Sequence, residues 1–407
     1  MLFRVLRDEF LLDPEIVFLN HGSFGACPRD VFEVYQRWER ELERQPVEFL
    51  GRRSHTLLRE ARGALAQYLG ANVDDLVFVS NATTAVNAIA RSLSLSPGDE
   101  VLGSDLEYGA CDYVWRHVCA KAGATYVQAT VPLPLGTPIE VADAIWSRVT
   151  PKTRVLFLSH LTSTTAVILP VEELCRRARA AGILTLIDGA HAPGQLPLDL
   201  EAIDADAYVG NCHKWMCAPK GAAFMKLKAH LHEVVDASVI SWGYGDVVGH
   251  VAFEAYVGDT PLLRRHQWQG TRDLAAYLTV PAAIEWQAAR RWDEVRARCH
   301  AMVTAFRARV ERRTGLAPIC ADEALGQMAA IAWPAEVMGP EALKDHLWDR
   351  HRIEVPITMH RDQVFVRVSV QGYNTESDLE TLYDALEALL HPKSGSARRI
   401  ASLVPTR

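Results

Sequence analysis

Short apolar runs alternate with helix-patterned stretches through the first two-thirds of the chain. This alternation constrains the fold more than any other feature. Asp75–Ser80 (DLVFVS), Glu100–Ser104 (EVLGS), Ala124–Val131 (ATYVQATV), Arg154–His160 (RVLFLSH), Ile183–His191 (ILTLIDGAH), Ala207–Cys212 (AYVGNC) and Ala222–Lys228 (AAFMKLK) read as strands. Thr83–Leu93, about Ala110–Ala122 and Val171–Gly182 read as helices between them. The stretch from Arg29 to about Gly70 reads as helical, broken at Gln45-Pro46. Strands this apolar must be covered on both faces, which predicts an α/β fold around a mainly parallel, seven-stranded sheet.

After Asp273 the pattern changes. A long helical stretch from about Leu274 to Arg313, divided near Pro281, precedes strand-like runs at Gln327–Pro334, Arg352–Ile357 and Gln363–Val370. Helical patterns at Glu341–Arg350 and Glu376–Leu390 complete what reads as a smaller α+β domain. The expected organisation is an N-terminal segment over residues 1–28, a large domain over 29–273, a small C-terminal domain over 274–390 and a mobile polar tail over 391–407.

Composition narrows the functional classes. With 407 residues, 49% hydrophobic and 23% charged, the chain is neither disordered nor fibrous. A net charge of −7 offers no general field for nucleic acid or an anionic membrane. Arg4, Arg7, Asp8 and Glu9 interrupt any signal-peptide core, and no uncharged run is long enough for a membrane span. The eight cysteines are scattered without a paired C-x-x-C, so we expect reduced thiols, a cytoplasmic location and no structural metal.

Ligands of such sheets sit at the carboxyl ends of the strands. Lys214, in GNCHKWMCAPKG, closes one apolar run, where a lysine can form a Schiff base with a carbonyl cofactor. Asp188 ends another, and a carboxylate placed there calls for a cation such as a pyridinium nitrogen. His191 follows three residues later. Ser80-Asn81-Ala82-Thr83-Thr84 joins a strand to a helix, whose N-terminus offers N–H groups to a phosphate. Each feature alone has an ordinary explanation: a snorkelling lysine, a loop aspartate, a loop histidine, a helix cap. Their order gives them weight.

That order (TT, EYGA, SHLTS, DGAH, HKW, QGTRD, VRVS) resembles the class V aminotransferase family. FLNHGSFGACP, SNATTAVN and QWQGTRD are most similar to its isopenicillin N epimerase-like branch. The resemblance spans roughly Phe18 to Leu390. It implies the fold-type I architecture of pyridoxal-phosphate enzymes, and pyridoxal 5'-phosphate as cofactor. It implies Lys214 as the Schiff-base lysine and base at Cα, Asp188 as partner of the ring nitrogen, and His191 at the phenolic oxygen. Tyr108 becomes the platform stacked on the ring. Thr83, Thr84, Asn211 and His213 become phosphate ligands, and Thr271 reaches the phosphate of a neighbouring subunit, which implies a homodimer with shared sites. Arg367 clamps a substrate carboxylate. Asn20 and His21 line the substrate side.

Two departures from the desulfurase branch stand out. Ser163 replaces an asparagine near the phenolic oxygen. The segment Thr358-Met359-His360-Arg361-Asp362, read as a loop before the arginine strand, lacks the cysteine needed to form a persulfide. The expected substrate is an amino acid or small peptide deprotonated at Cα. Epimerisation is the leading outcome; β-elimination of a C–S bond and transamination stay open. A non-enzymatic regulator on this scaffold is disfavoured, because Lys214, Asp188 and Arg367 are all retained.

Overall fold

The computed structural model describes residues 6–245 and 258–391. The expected tail from residue 392 on lies outside them, as do residues 246–257. Twelve strands occur among the described residues: β1 (Val17–Phe18), β2 (Leu76–Val79), β3 (Glu100–Ser104), β4 (Thr125–Ala129), β5 (Thr153–Ser159), β6 (Leu184–Asp188), β7 (Ala207–Asn211), β8 (Ala223–Leu227), β9 (Met328–Trp333), β10 (Ile353–Glu354), β11 (Ile357–His360) and β12 (Gln363–Ser369).

Seven of them form one sheet in the order β2-β8-β7-β6-β5-β3-β4. All seven expected strands are present. β8 alone runs antiparallel to its neighbours; the rest pair in parallel. Side chains alternate between the two faces with the period of two that strands impose. Leu76, Phe78, Leu156 and Leu158 pack into the core on one face, Val77, Val79, Val155 and Phe157 into that on the other. Helix Ala82–Ser92 lies on the second face through Ala85, Val86 and Ile89. The chain goes from β3 to its neighbour β4, then returns on the other side of β3 to form β5, β6 and β7. The order therefore reverses between β3 and β5, where the ends of an open sheet leave a crevice.

A second, antiparallel sheet has the order β11-β12-β9. Here one expectation is corrected. Residues 358–360, read as loop, belong to β11, and the turn of the β11–β12 hairpin falls at Arg361, whose φ is 52°. Ile357 and Thr358 suit a pleated strand, and their pairing with Val366 and Phe365 extends it. A helix at Pro138–Trp146, which the reading left unassigned, starts with a capping box between Thr137 and Glu140. The long helical stretch divides near Pro281 as expected and again at Arg291, whose φ is 48°. No helix among the described residues is long and apolar enough to cross a membrane.

The N-terminal segment ties the chain's two ends together. β1 pairs in parallel with β10, and Leu19 O accepts from Ser369 N. The segment then runs against the backbone of the loop after β7. Gly25 has φ 71°, and an added Cβ would collide with the carbonyl oxygen of His213 and lie 2.9 Å from Lys214 Cα. Only glycine fits both demands. Gly25→Ala is expected to destabilise the protein by about 3 kcal/mol, read as a lower urea midpoint at unchanged m-value.

Candidate active site

A cavity of about 380 Å³ opens at the carboxyl ends of β5, β6 and β7. Its wall includes Ser23, Phe24, Ser80, Thr83, Tyr108, Ser159, Ser163, Asp188, His191, Asn211, His213 and Lys214. Sequence positions from 23 to 214 thus meet at one place, and eight of the residues expected there are on the wall.

The centre is a hydrogen-bond chain. The Trp215 indole N–H donates to His191 Nδ1 at 3.4 Å, and His191 Nε2 lies 3.0 Å from Lys214 Nζ. An indole N–H can only donate, so Nδ1 accepts and the proton of the neutral ring sits on Nε2. Nε2–H then donates to Lys214, whose nitrogen must offer a lone pair. Electrostatics agree. Burial, with the charges of Lys214 and Arg367 acting the same way, holds His191 far below its usual range. Burial lowers Lys214 to about 8; Asp188 pulls the other way and Arg367 adds to the lowering. A lysine poised near neutrality is what attack on a carbonyl or removal of a proton needs.

Asp188 is 4% exposed. Its Oδ1 accepts from Ala190 N at 2.9 Å, and Oδ2 has the weak Cys111 thiol donor at 3.6 Å. Burial raises its pKa. A carboxylate so buried and so thinly partnered is a site for a cation. At the anion end, Asn81 caps helix Ala82–Ser92 by accepting from Thr84 N at 2.8 Å. Asn211 Oδ1 accepts from Ala82 N at 2.9 Å, so its amide N–H₂ is the end left for the cavity. Thr83 and Ser80 stand on the wall, whereas Thr84 lies behind it, its hydroxyl donating to Asn81. His213 Nδ1–H donates to the Ala222 carbonyl at 2.9 Å.

The expected substrate trio is placed differently. Arg367 is 4% exposed and sits behind Ser23 and Ser163. It donates to Ser163 O at 2.8 Å and to Ser23 Oγ at 2.9 Å. Its buried Nε has no hydrogen-bond partner among the described residues. Burial lowers its pKa to about 10. Asn20 approaches Arg367 at 3.5 Å and donates to Glu354 at 2.8 Å. His21 does not face the cavity: it is buried beneath Lys214, donating Nε2–H to the Lys214 carbonyl at 3.0 Å and accepting from Tyr373 at Nδ1. The chain after it is closely packed: a Cβ at Gly22 would meet Met328 Sδ, and one at Gly25 the His213 carbonyl oxygen. Thr271 is exposed and is not on the cavity wall.

Sequence reasoning gave no role to Ser23, Phe24, Ser159 or a buried glutamate, Glu107. The signal for Glu107 was available: like Asp188, it is a carboxylate closely following a buried strand. The whole donor set suits pyridoxal 5'-phosphate, with an amine for the aldehyde, a carboxylate for the ring nitrogen and a helix N-terminus for the phosphate.

The aminotransferase class-V family profile matches residues 28–382. An isopenicillin N epimerase from Amycolatopsis lactamdurans is 39% identical over 94% of this chain and 97% of its own. The enzyme of that name from Streptomyces clavuligerus is 38% identical over the same shares. An L-cysteine desulfhydrase from Arabidopsis thaliana is 26% identical over 91% of this chain and 87% of its own. Among solved structures, a cysteine desulfurase from Escherichia coli superposes with a TM-score of 0.77 at 24% identity, covering 96% of this chain and 99% of its own. The cystine C–S lyase C-DES, in complex with cysteine persulfide, gives 0.78 at 21%, covering 92% and 98%. The fold is that of fold-type I pyridoxal-phosphate enzymes.

Cofactor attachment through Lys214 requires its neutral amine. The rate of attachment to cofactor-free protein should rise about tenfold per pH unit below the Lys214 pKa of about 8 and level off above it. Stopped-flow absorbance of added pyridoxal phosphate measures this; a rate still rising about tenfold per unit between pH 8 and about 10 would refute the lowered pKa.

Proposed function

Because the chain belongs to the class V aminotransferase family, we propose that it is a pyridoxal-phosphate enzyme that inverts the Cα centre of an amino acid or small peptide, in the manner of an isopenicillin N epimerase. The observation that carries the chemistry is the Lys214 amine, buried at 3.0 Å from His191 Nε2 with its pKa lowered to about 8, in a cavity that also holds the thinly partnered Asp188 carboxylate.

Bound pyridoxal phosphate supplies an electron sink for the charge left when Cα loses its proton. The chain does the rest. Arg367 receives the substrate carboxylate, and the unpartnered Nε is one donor not yet committed. Lys214 Nζ takes the proton from Cα on its own face. Asp188 would keep a proton on the ring nitrogen and His191 would donate to the phenolic oxygen, while Asn211, Thr83 and the helix N-terminus would hold the phosphate. Inversion needs a proton returned from the opposite side, and Tyr108 is the hydroxyl on the wall that we assign to it.

The whole-length likeness to two epimerases supports this reading over elimination. The absence of cysteine from the cavity wall and from the β11–β12 hairpin among the described residues speaks against a persulfide-forming desulfurase, not against elimination. Elimination from a cysteine derivative remains the second reading, favoured by the desulfhydrase likeness. It shares every step through removal of the Cα proton.

We further infer a cytoplasmic homodimer with shared sites. All eight cysteines are free, which supports the compartment. Thr271 lies exposed away from its own cavity, which supports its reaching a partner. The division at residues 273 and 274 fits the seven-stranded sheet before it and the β11-β12-β9 sheet after it.

A panel of amino acids and peptides incubated in heavy water tests the reaction, followed at Cα by NMR and chiral chromatography. The expected product is inverted and deuterated, with no keto acid; a keto acid with released thiol or sulfide would make the enzyme a lyase. Lys214→Ala should abolish the visible absorbance of the bound cofactor. Arg367→Lys should raise KM at least about tenfold, because one ammonium cannot replace a planar fork.

A further inference from the structure

Glu107 has no part in the chemistry above, yet it is among the most enclosed acids of the site. It is 6% exposed and lies in the loop after β3, directly before Tyr108. Its Oε1 accepts from Ser104 Oγ at 2.5 Å. Its Oε2 accepts from Ser159 N at 2.7 Å and Ser159 Oγ at 2.6 Å.

The place of these bonds matters. β3 and β5 pair from Glu100↔Thr153 to Leu102↔Leu156, and the ladder stops there. Ser104 and Ser159 end the two strands beyond the last pair, at the reversal of strand order. One carboxylate therefore spans the gap where the ladder no longer holds the strands together. On the far side, Ser159 pairs in register with Asp188. Ser159 and Asp188 are both on the cavity wall, and so is Tyr108, the next residue after Glu107.

We propose that Glu107 is a positioning residue, clamping the parted ends of β3 and β5 so that Tyr108, Ser159 and Asp188 keep the spacing a bound pyridine ring requires. This rests on reading the cavity as a cofactor site. The arrangement is costly. Burial raises the Glu107 pKa to about 7, against hydrogen bonds from Ser104 and Ser159, and the Asp188 charge pushes it the same way. A buried acid held beside another acid, with no cation among these influences, is poor design for stability alone. Its three donors reward position.

The test uses cofactor-free and reconstituted protein. Glu107→Gln keeps the clamp: its carbonyl oxygen can accept from Ser159 N and its amide can donate to Ser104 Oγ. Glu107→Ala removes it. In Glu107→Ala the dissociation constant for pyridoxal phosphate should rise about tenfold. The pH midpoint of the visible band should shift, and kcat should fall more than KM changes. Glu107→Gln should restore affinity to within about threefold of the parent and restore the midpoint. Unchanged affinity in Glu107→Ala overturns the proposal, as does a Glu107→Gln as impaired as the alanine variant. If Glu107→Ala does not fold, Ser104→Ala removes one donor and should weaken the cofactor about threefold without moving the thermal midpoint of cofactor-free protein; unchanged affinity there overturns the proposal equally. Failure of the parent protein to bind pyridoxal phosphate would instead sink the reading of the cavity.

Discussion

Everything in this molecule turns on burying an amine without an ion-pair partner at hydrogen-bond distance. Lys214 lies inside the protein with a histidine, not a carboxylate, at hydrogen-bond distance. Burial works against a charged ammonium there, and the proton affinity of the amine falls to a pKa of about 8. The arrangement depends on Trp215, which fixes the tautomer of His191 and so decides which partner donates. It also depends on the backbone of residues 213–215, pinned from behind by His21 and Gly25. Side chains distant in sequence thus set one proton inventory.

The same logic of unmet demand runs through the rest of the cavity. Asp188 is a buried anion short of a cation, and Arg367 a buried cation with an idle donor. They lie on different sheets, β6 and β12. A ligand with a positive ring nitrogen at one end and a carboxylate at the other meets both needs at once. Such a ligand binds the two sheets to each other as well as to itself.

The sheet was legible in the sequence because its strands are covered on both faces. LVFV, VLFLS and LTLID cannot be placed anywhere but in a two-sided core, and their carboxyl ends point out the site. Lys214, Asp188, His191, Asn211 and Thr83 follow from that rule. What resisted reading depends on side-chain direction. Asn20 and His21 are adjacent, yet one turns toward Arg367 and the other beneath Lys214, a distinction that apolar pattern and spacing do not carry. The place of Glu107 after a buried strand was legible, but its role was hidden because the clamp appears only where two ladders part. The 357–360 strand was hidden because its partner supplies the pattern that four mixed residues do not.

The pairing of β1 with β10 has a consequence for synthesis. Val17 emerges from the ribosome long before Ile353, its partner, and Arg367 later still. The seven-stranded sheet can form from residues 76–227 while the N-terminal segment is still unmatched. Loop closure over so long a span is slow, and domains tend to fold as units during translation. The segment that backs Lys214 therefore docks last, after the chain has nearly left the ribosome. Cofactor capture belongs to the finished polypeptide, and a prematurely ended chain lacks the strand that would seal its own active centre.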